Sequence, residues 1–162
     1  MNRRILAPAA LFLLALAAGC TGPMANKAVV ARQVEEVLNA GDLGVVDEAM
    51  SSEVVIHDLP PGLPPGREGY KALMRDHRDA FSDFHCENVA MVAEGDLVVN
   101  RWSWTGVHDK GPYLGIKPTG KRVTMTGMTL HRFAGGKIVE QWHNVDMLGL
   151  LRQMSKAPQA AK

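Results

Sequence analysis

Asp146 stands four residues after Trp142, at the end of what reads as the last β-strand of the chain, with Asn144 between them at the same strand parity. One face of that strand therefore presents a carboxylate, an amide and an aromatic wall, a set suited to a general acid/base whose pKa is raised by partial burial. The same aspartate is also placed to cap a C-terminal helix starting near Met147. His57, His108, His131 and His143 fall on or at the ends of predicted strands, where a neutral imidazole can donate to a developing oxyanion. His77 lies instead on an apolar helix stripe and reads as a core histidine. Arg101 shares a strand face with Val99 and Ser103, while Asn100, Trp102 and Trp104 point the other way. A buried arginine needs an anion, so Arg101 is expected to pair with Glu140 or Asp146 or to hold a substrate carbonyl. Alternation alone leaves open which sheet face lines a pocket, because both faces carry large apolar residues.

Other chemistries find little support. The sequence has no His-x-His, no His-Glu-x-x-His and no paired-cysteine spacing, so no metal site is expected. Prolines interrupt the glycine-containing stretch from Gly62 to Gly69, which rules it out as a phosphate-binding loop. No serine triad signature is present, and Cys86, in an alternating segment, reads as a buried inert thiol. Lys and Arg total 18 against 17 Asp and Glu, with no basic stripe, which argues against a nucleic-acid partner. Cofactor-free chemistry or simple binding of a small apolar or carbonyl-containing molecule remains.

The elements that would position these residues can be read along the chain. Arg3 and Arg4 precede an apolar run from Ile5 to Ala18, and small residues lead to Cys20. This is the layout of a secretory signal, and the run falls short of the roughly 20 residues needed to span a bilayer. Leu16-Ala17-Ala18-Gly19-Cys20 resembles the bacterial lipoprotein cleavage box, although Ala17 departs from the usual branched residue. The resemblance implies that residues 1–19 are removed and that Cys20 is acylated. A membrane-anchored, extracytoplasmic protein is then expected, on the periplasmic side and at the outer membrane in a Gram-negative cell. Residues 20–26 would be a tether, 27–154 the domain and 155–162 a flexible tail. With Cys20 acylated, Cys86 has no disulfide partner, so the fold must rest on its core.

Val30, Val34, Val37 and Leu38 recur at helical spacing, with Gly41 as the stop. Asp42 can cap a second short helix carrying Val45, Val46, Ala49 and Met50, and Val54-Val55-Ile56 reads as a strand ending at His57-Asp58. A proline-rich loop leads to a third helix from about Arg67 to Phe81. Four strand-like segments then follow, Phe84 to Ala93, Leu97 to His108, Lys121 to Phe133 and Lys137 to Asp146, with short glycine turns at 94–96 and 134–136. Helices first and an antiparallel meander afterwards is the α+β pattern.

Val55-Ile56-His57-Asp58, Asn100-Arg101-Trp102, Thr105-Gly106-Val107-His108, Pro118-Thr119-Gly120, Gly136-Lys137-Ile138-Val139-Glu140 and Trp142 with Asp146 resemble, in that order, the SnoaL-like polyketide cyclases, also called ester cyclases. The resemblance covers about residues 27 to 154. It implies the nuclear transport factor 2-like cone, with three N-terminal helices packed on a curved antiparallel sheet and a short C-terminal helix. It also implies ring closure by aldol chemistry without metal or cofactor, with Asp146 at the catalytic aspartate position and His131 nearest the pocket histidine. His57, Arg101, His108, Trp142 and Asn144 are then expected to contact the substrate. The alternative is a non-catalytic small-molecule-binding lipoprotein of the same fold. If part of the set Val98, Trp102, Trp104 and Met128 lies on an uncovered sheet face, a two-fold dimer is the simplest cover.

The anchor has a direct test. Wild-type protein fed a labelled fatty acid in a bacterium is expected to take up label and fractionate with membranes, and Cys20→Ser not to mature to the acylated form. An unlabelled wild type removes the lipoprotein reading.

Overall fold

The computed structural model describes residues 22–155. The leader, the Cys20 acylation site and the tail beyond 155 lie outside the described residues. Helix α1, Pro23–Arg32, continues without a break into wider π-helical turns over Gln33–Ala40. Residues 23–26, expected to be tether, form its first turn, because Pro23 has a preset φ and lacks only an N–H that a first turn leaves unpaired anyway.

The helix buries Val30, Val34 and Val37 and stops at Gly41, whose φ of 81° is the left-handed cap glycine adopts readily. A Cβ there would fall 2.5 Å from Arg78 Cζ. That guanidinium has to come close, since it donates to the terminal carbonyls of Leu38 and Asn39. Asn39 clamps the same turn to the sheet: its Oδ1 accepts the Cys86 N–H at 2.8 Å and its Nδ2 donates to the Cys86 carbonyl at 2.9 Å.

Asp42 Oδ1 accepts the Gly44 N–H at the start of α2, Gly44–Ala49, and β1 follows at Met50–Ile56. After the proline loop come α3, Gly66–Ala80, and the strands β2, Phe81–Glu94, β3, Leu97–His108, β4, Lys121–Ala134, and β5, Lys137–Val145. Helix α4, Met147–Ser155, closes the described chain.

The sheet order is β1-β5-β4-β3-β2. Strands β2 to β5 form the expected antiparallel meander. Strand β1 departs from that expectation and runs parallel to β5, so the sheet is mixed. A crossover through α3 separates β1 from the meander, which is the kind of connection a parallel neighbour requires.

The helices pack on one face only. Val30, Val46, Met50, Tyr70, Val98 and Ile138 make one apolar cluster; Phe81, Cys86, Trp104, Val123, Leu150 and Met154 make the other. Val98, Trp102 and Trp104 therefore belong to the helix side. Met128, Val89 and Val92 stand exposed.

The end of the sheet carries one irregularity that matters for the site. Phe133 pairs with Ile138 but Arg132 pairs with Glu140, so Val139 is an extra residue on β5. Such a bulge reverses the side-chain alternation beyond it. Ile138 and Gln141, three apart, are both fully buried on the inner side.

Candidate functional site

A cavity of about 160 Å³ lies between α1, α3 and the inner sheet face. Its wall is mostly apolar, with Val34, Leu38, Tyr70, Met74, Trp102 and Trp104 contributing, and among the described residues Asp58 is the single carboxylate that lines it. Trp102 can lie across β4 because residue 127 is glycine, where a Cβ would come within 2.3 Å of the indole.

A row of polar side chains crosses the cavity floor. His131 Nε2 is 3.0 Å from Asn100 Oδ1, His131 Nδ1 is 2.8 Å from Gln141 Nε2, and Asn100 Nδ2 is 2.7 Å from Asn88 Oδ1. With the three amides oriented as they stand, one assignment of protons is consistent. Asn100 donates to Asn88, so its oxygen accepts from His131 Nε2–H, and His131 Nδ1 accepts from Gln141. His131 is thus neutral and satisfied at both nitrogens. Burial holds its pKa down at about 3, and the neighbouring His143 adds to the effect. The orientation leaves Gln141 Oε1 buried without a partner, and Gln33 Nε2 on the helix wall is likewise unpartnered.

A second polar set stands beside it. Trp102 Nε1–H donates to Thr129 Oγ1 at 2.9 Å, and the same oxygen lies 3.2 Å from His143 Nδ1, where it donates or accepts according to the imidazole tautomer. His143 Nε2 has no protein partner among the described residues, and it carries the ring proton in the tautomer whose Nδ1 accepts from Thr129. Burial lowers this histidine to about pKa 4, against a smaller upward pull from Asp58. Asp58 Oδ2 accepts the His143 backbone N–H at 2.9 Å, and its other oxygen is free of side-chain partners among the described residues. Asp58 itself is exposed, at the mouth.

His77 donates Nδ1–H to the Leu73 carbonyl and accepts from Tyr113 at Nε2, 3.0 Å away, the core role expected of it. Cys86 also lines the cavity, with its thiol pushed up to about 12 by burial, in keeping with an inert role.

Several expected site residues lie elsewhere. Asp146 is exposed and does not line the cavity; its Oδ1 accepts the Gly149 N–H at 2.8 Å, which makes it the cap of α4. A Cβ at residue 149 would lie 2.1 Å from Asp146 Oδ2, so a larger residue there would have to displace the capping carboxylate. Trp142 and Asn144 are on the outer face because the Val139 bulge reverses the parity. Trp142 stacks on His57 at 4.8 Å, with Arg132 5.3 Å above the indole, and Glu140 accepts from both His57 and Arg132. Arg101 is exposed on the outer face and has no ion pair among the described residues. His108 is fully buried away from the cavity, against Thr119 Oγ1 and the Gly111 carbonyl. Of the histidines expected on strands, His131 and His143 line the cavity; of the other expected site residues, none does among the described residues. Gln33, Asp58, Thr129 and Gln141 were missed; nothing in alternation marks them, and only the bulge puts Gln141 and His143 inside.

Comparison with known proteins gives a consistent fold. A family model described as SnoaL-like polyketide cyclase matches residues 28–154. TsrD from Streptomyces laurentii superposes with a TM-score of 0.76 at 25% identity, over 83% of this chain and 98% of that one. IdmH from Streptomyces antibioticus, described as a candidate polyketide cyclase, gives 0.69 at 31% identity, over 81% and 99%. AclR from Streptomyces galilaeus, described as a candidate hydroxylase, gives 0.73 at 29% identity, over 87% of each chain. No curated protein sequence matches significantly.

The three cavity histidines set the acid response. His77 and His143 at about 4 and His131 at about 3 resist protons that the unfolded chain binds near its ordinary value of about 6.5. Their contribution is full above pH 6.5 and is lost as pH falls toward 4, a drop of several kcal/mol. Denaturant melts between pH 7.5 and 4.5 are expected to show it, with His77→Phe flattening the slope. A flat profile would contradict the neutral assignments.

Proposed function

The chain belongs to the SnoaL-like polyketide cyclase family, and we propose that it is a cyclase-type enzyme performing acid/base chemistry on a small carbonyl compound without a cofactor. One observation carries this reading. Among the described residues, His143 brings an unpartnered ring nitrogen, Nε2, and, through its backbone, a carboxylate with a free oxygen to the wall of one apolar cavity.

In the proposed reaction Asp58 removes a proton from the carbon beside a substrate carbonyl. The His143 Nε2–H stabilises the enolate oxygen, and the low pKa of this imidazole keeps it a hydrogen-bond donor rather than an acid that gives its proton away. The enolate carbon attacks a second carbonyl of the same molecule, and the protonated Asp58 returns its proton to the new alkoxide. Atoms balance, and the ring-closed product is an isomer of the substrate. His131 has both nitrogens engaged, so its part is to hold the floor rigid. Asp146 serves the site indirectly, by fixing the start of α4 where Val145 and Met147 border the cavity.

Two further features belong to this reading. The protein is held at a membrane through Cys20, as the cleavage box suggests. Two copies pair across the outer sheet face, where Val89, Val92 and Met128 are exposed. A chain beginning at Thr21 is then expected to sediment as a dimer at micromolar concentration; a monomer there would defeat the pairing.

The catalytic assignment can be tested before a natural substrate is known, by NMR of α-hydrogen exchange of cyclohexanone in D₂O. Wild type is expected to accelerate exchange, Asp58→Asn to reduce the enzymatic rate by about 10²–10⁴-fold, and Asp146→Asn, itself a good cap, to leave it unchanged. Loss of exchange in folded Asp146→Asn would return the catalytic role to the last strand. Wild-type exchange no faster than buffer would leave a non-catalytic binding protein as the better reading.

A further inference from the structure

Two buried amide atoms in the cavity have no partner. Gln141 is 0% exposed and its Oε1 is unpaired; Gln33 is 2% exposed and its Nε2 is unpaired. Both residues line the same cavity, Gln33 from the helix layer and Gln141 from the sheet. Native interiors rarely tolerate such orphans unless a ligand or ordered water completes them. Turning the Gln141 amide over alone would set its oxygen against the His131 Nδ1 acceptor, and reversing the whole row as far as the Asn88 amide would still leave one Gln141 amide atom unpartnered. Gln33 opens the π-helical segment, a distortion that recurs at functional sites.

The other properties of the cavity narrow the ligand. Its volume of about 160 Å³ is close to the roughly 150 Å³ of an engineered apolar cavity that accepts benzene. It is smaller than the roughly 300–1,000 Å³ usual for drug-sized ligands. Among the described residues no lysine or arginine lines it, so a carboxylate or phosphate would enter without a counter-charge.

We infer that the cavity selects an uncharged molecule about one ring in size, whose hydroxyl, alone or beside a carbonyl, accepts from Gln33 and donates to Gln141. This deepens the proposed function and rests on that reading of the cavity as the ligand site, though not on turnover. A neutral hydroxyl both donates and accepts, so it can complete both amides, whereas a ketone oxygen can complete only Gln33. The two amides thus hold one end of the ligand at the floor, leaving the reacting carbonyl to His143.

The test is binding to the folded chain, measured calorimetrically with phenol, toluene, benzoate and 2-hydroxyanthraquinone. Phenol is expected to bind about tenfold or more tighter than toluene, the scale of completing otherwise unmade buried hydrogen bonds. Benzoate is expected to bind more weakly than phenol, and the three-ring compound not to displace phenol. Gln141→Leu also strips His131 of its Nδ1 donor, so Gln33→Leu, which forfeits no hydrogen bond, carries the mutational arm; it should bring phenol and toluene close to parity. Equal binding of phenol and toluene to wild type, or no binding of either, overturns the proposal. So does a phenol preference that survives both substitutions. Displacement of phenol by 2-hydroxyanthraquinone overturns the size limit. Selective phenol binding in a protein that fails the cyclohexanone exchange assay would fault the chemistry and leave this inference standing.

Discussion

The side-chain row from Gln141 through His131 and Asn100 to Asn88 crosses four strands beneath the helices, and the rest of the site is arranged around it. In an interior where the charged form of a histidine is strongly disfavoured, the row has to be neutral, and the orientation of each member then follows from that of its neighbour. That constraint ties β5, β4, β3 and β2 together at one level of the sheet. It also decides which polar atom is left facing the cavity, since the row uses the Gln141 nitrogen and leaves its oxygen. A charged His131 would need its Nδ1 proton to meet the amide that now donates to it, so protonation and loss of the row are linked.

Around that floor, small residues and caps control how closely the layers approach. Gly127 gives Trp102 room to spread across β4, and the indole N–H then orders Thr129 and, through it, His143. Asn39 completes the backbone of Cys86 as a neighbouring strand would, which fastens the π-helical turn to β2. At the other end, Gln153 Oε1 accepts the Thr124 N–H and its Nε2 donates to the Thr124 carbonyl, so α4 is docked by the same device. Two glutamine or asparagine side chains acting as single strand residues thus hold the helices against the sheet. Asp146 belongs with this group, as the cap that starts α4.

The exposed outer face is of a different character. His57, Trp142, Glu140 and Arg132 form a solvent-facing cluster of stacking and ion pairs, which accounts for four residues that have the types of an active site without its concavity. Exposed pairs of this kind contribute little to stability. Their residue types, read without the backbone, are indistinguishable from a binding constellation.

The order of helices and strands, the stop at Gly41, the turns at 94–96 and 134–136, and the helix-to-meander sequence were all legible in the chain, because period, turn chemistry and capping are local properties. The family resemblance was equally legible, since it rests on short strings in order. The role of Asp146 was half legible: both capping and catalysis suited its position, and the structure shows the cap, with the Gly149 N–H 2.8 Å from its carboxylate, and a place outside the cavity lining. What local pattern could not reach was the choice of sheet face. Counting by twos from the buried Ile138 puts Glu140, Trp142 and Asn144 inside; the single extra residue at Val139 puts Gln141, His143 and Val145 there instead. A bulge is decided by how β4 and β5 pair, and pairing is a relation between distant segments. The composition of the cavity, its three neutral histidines and its two unpaired amides therefore came only with the tertiary structure.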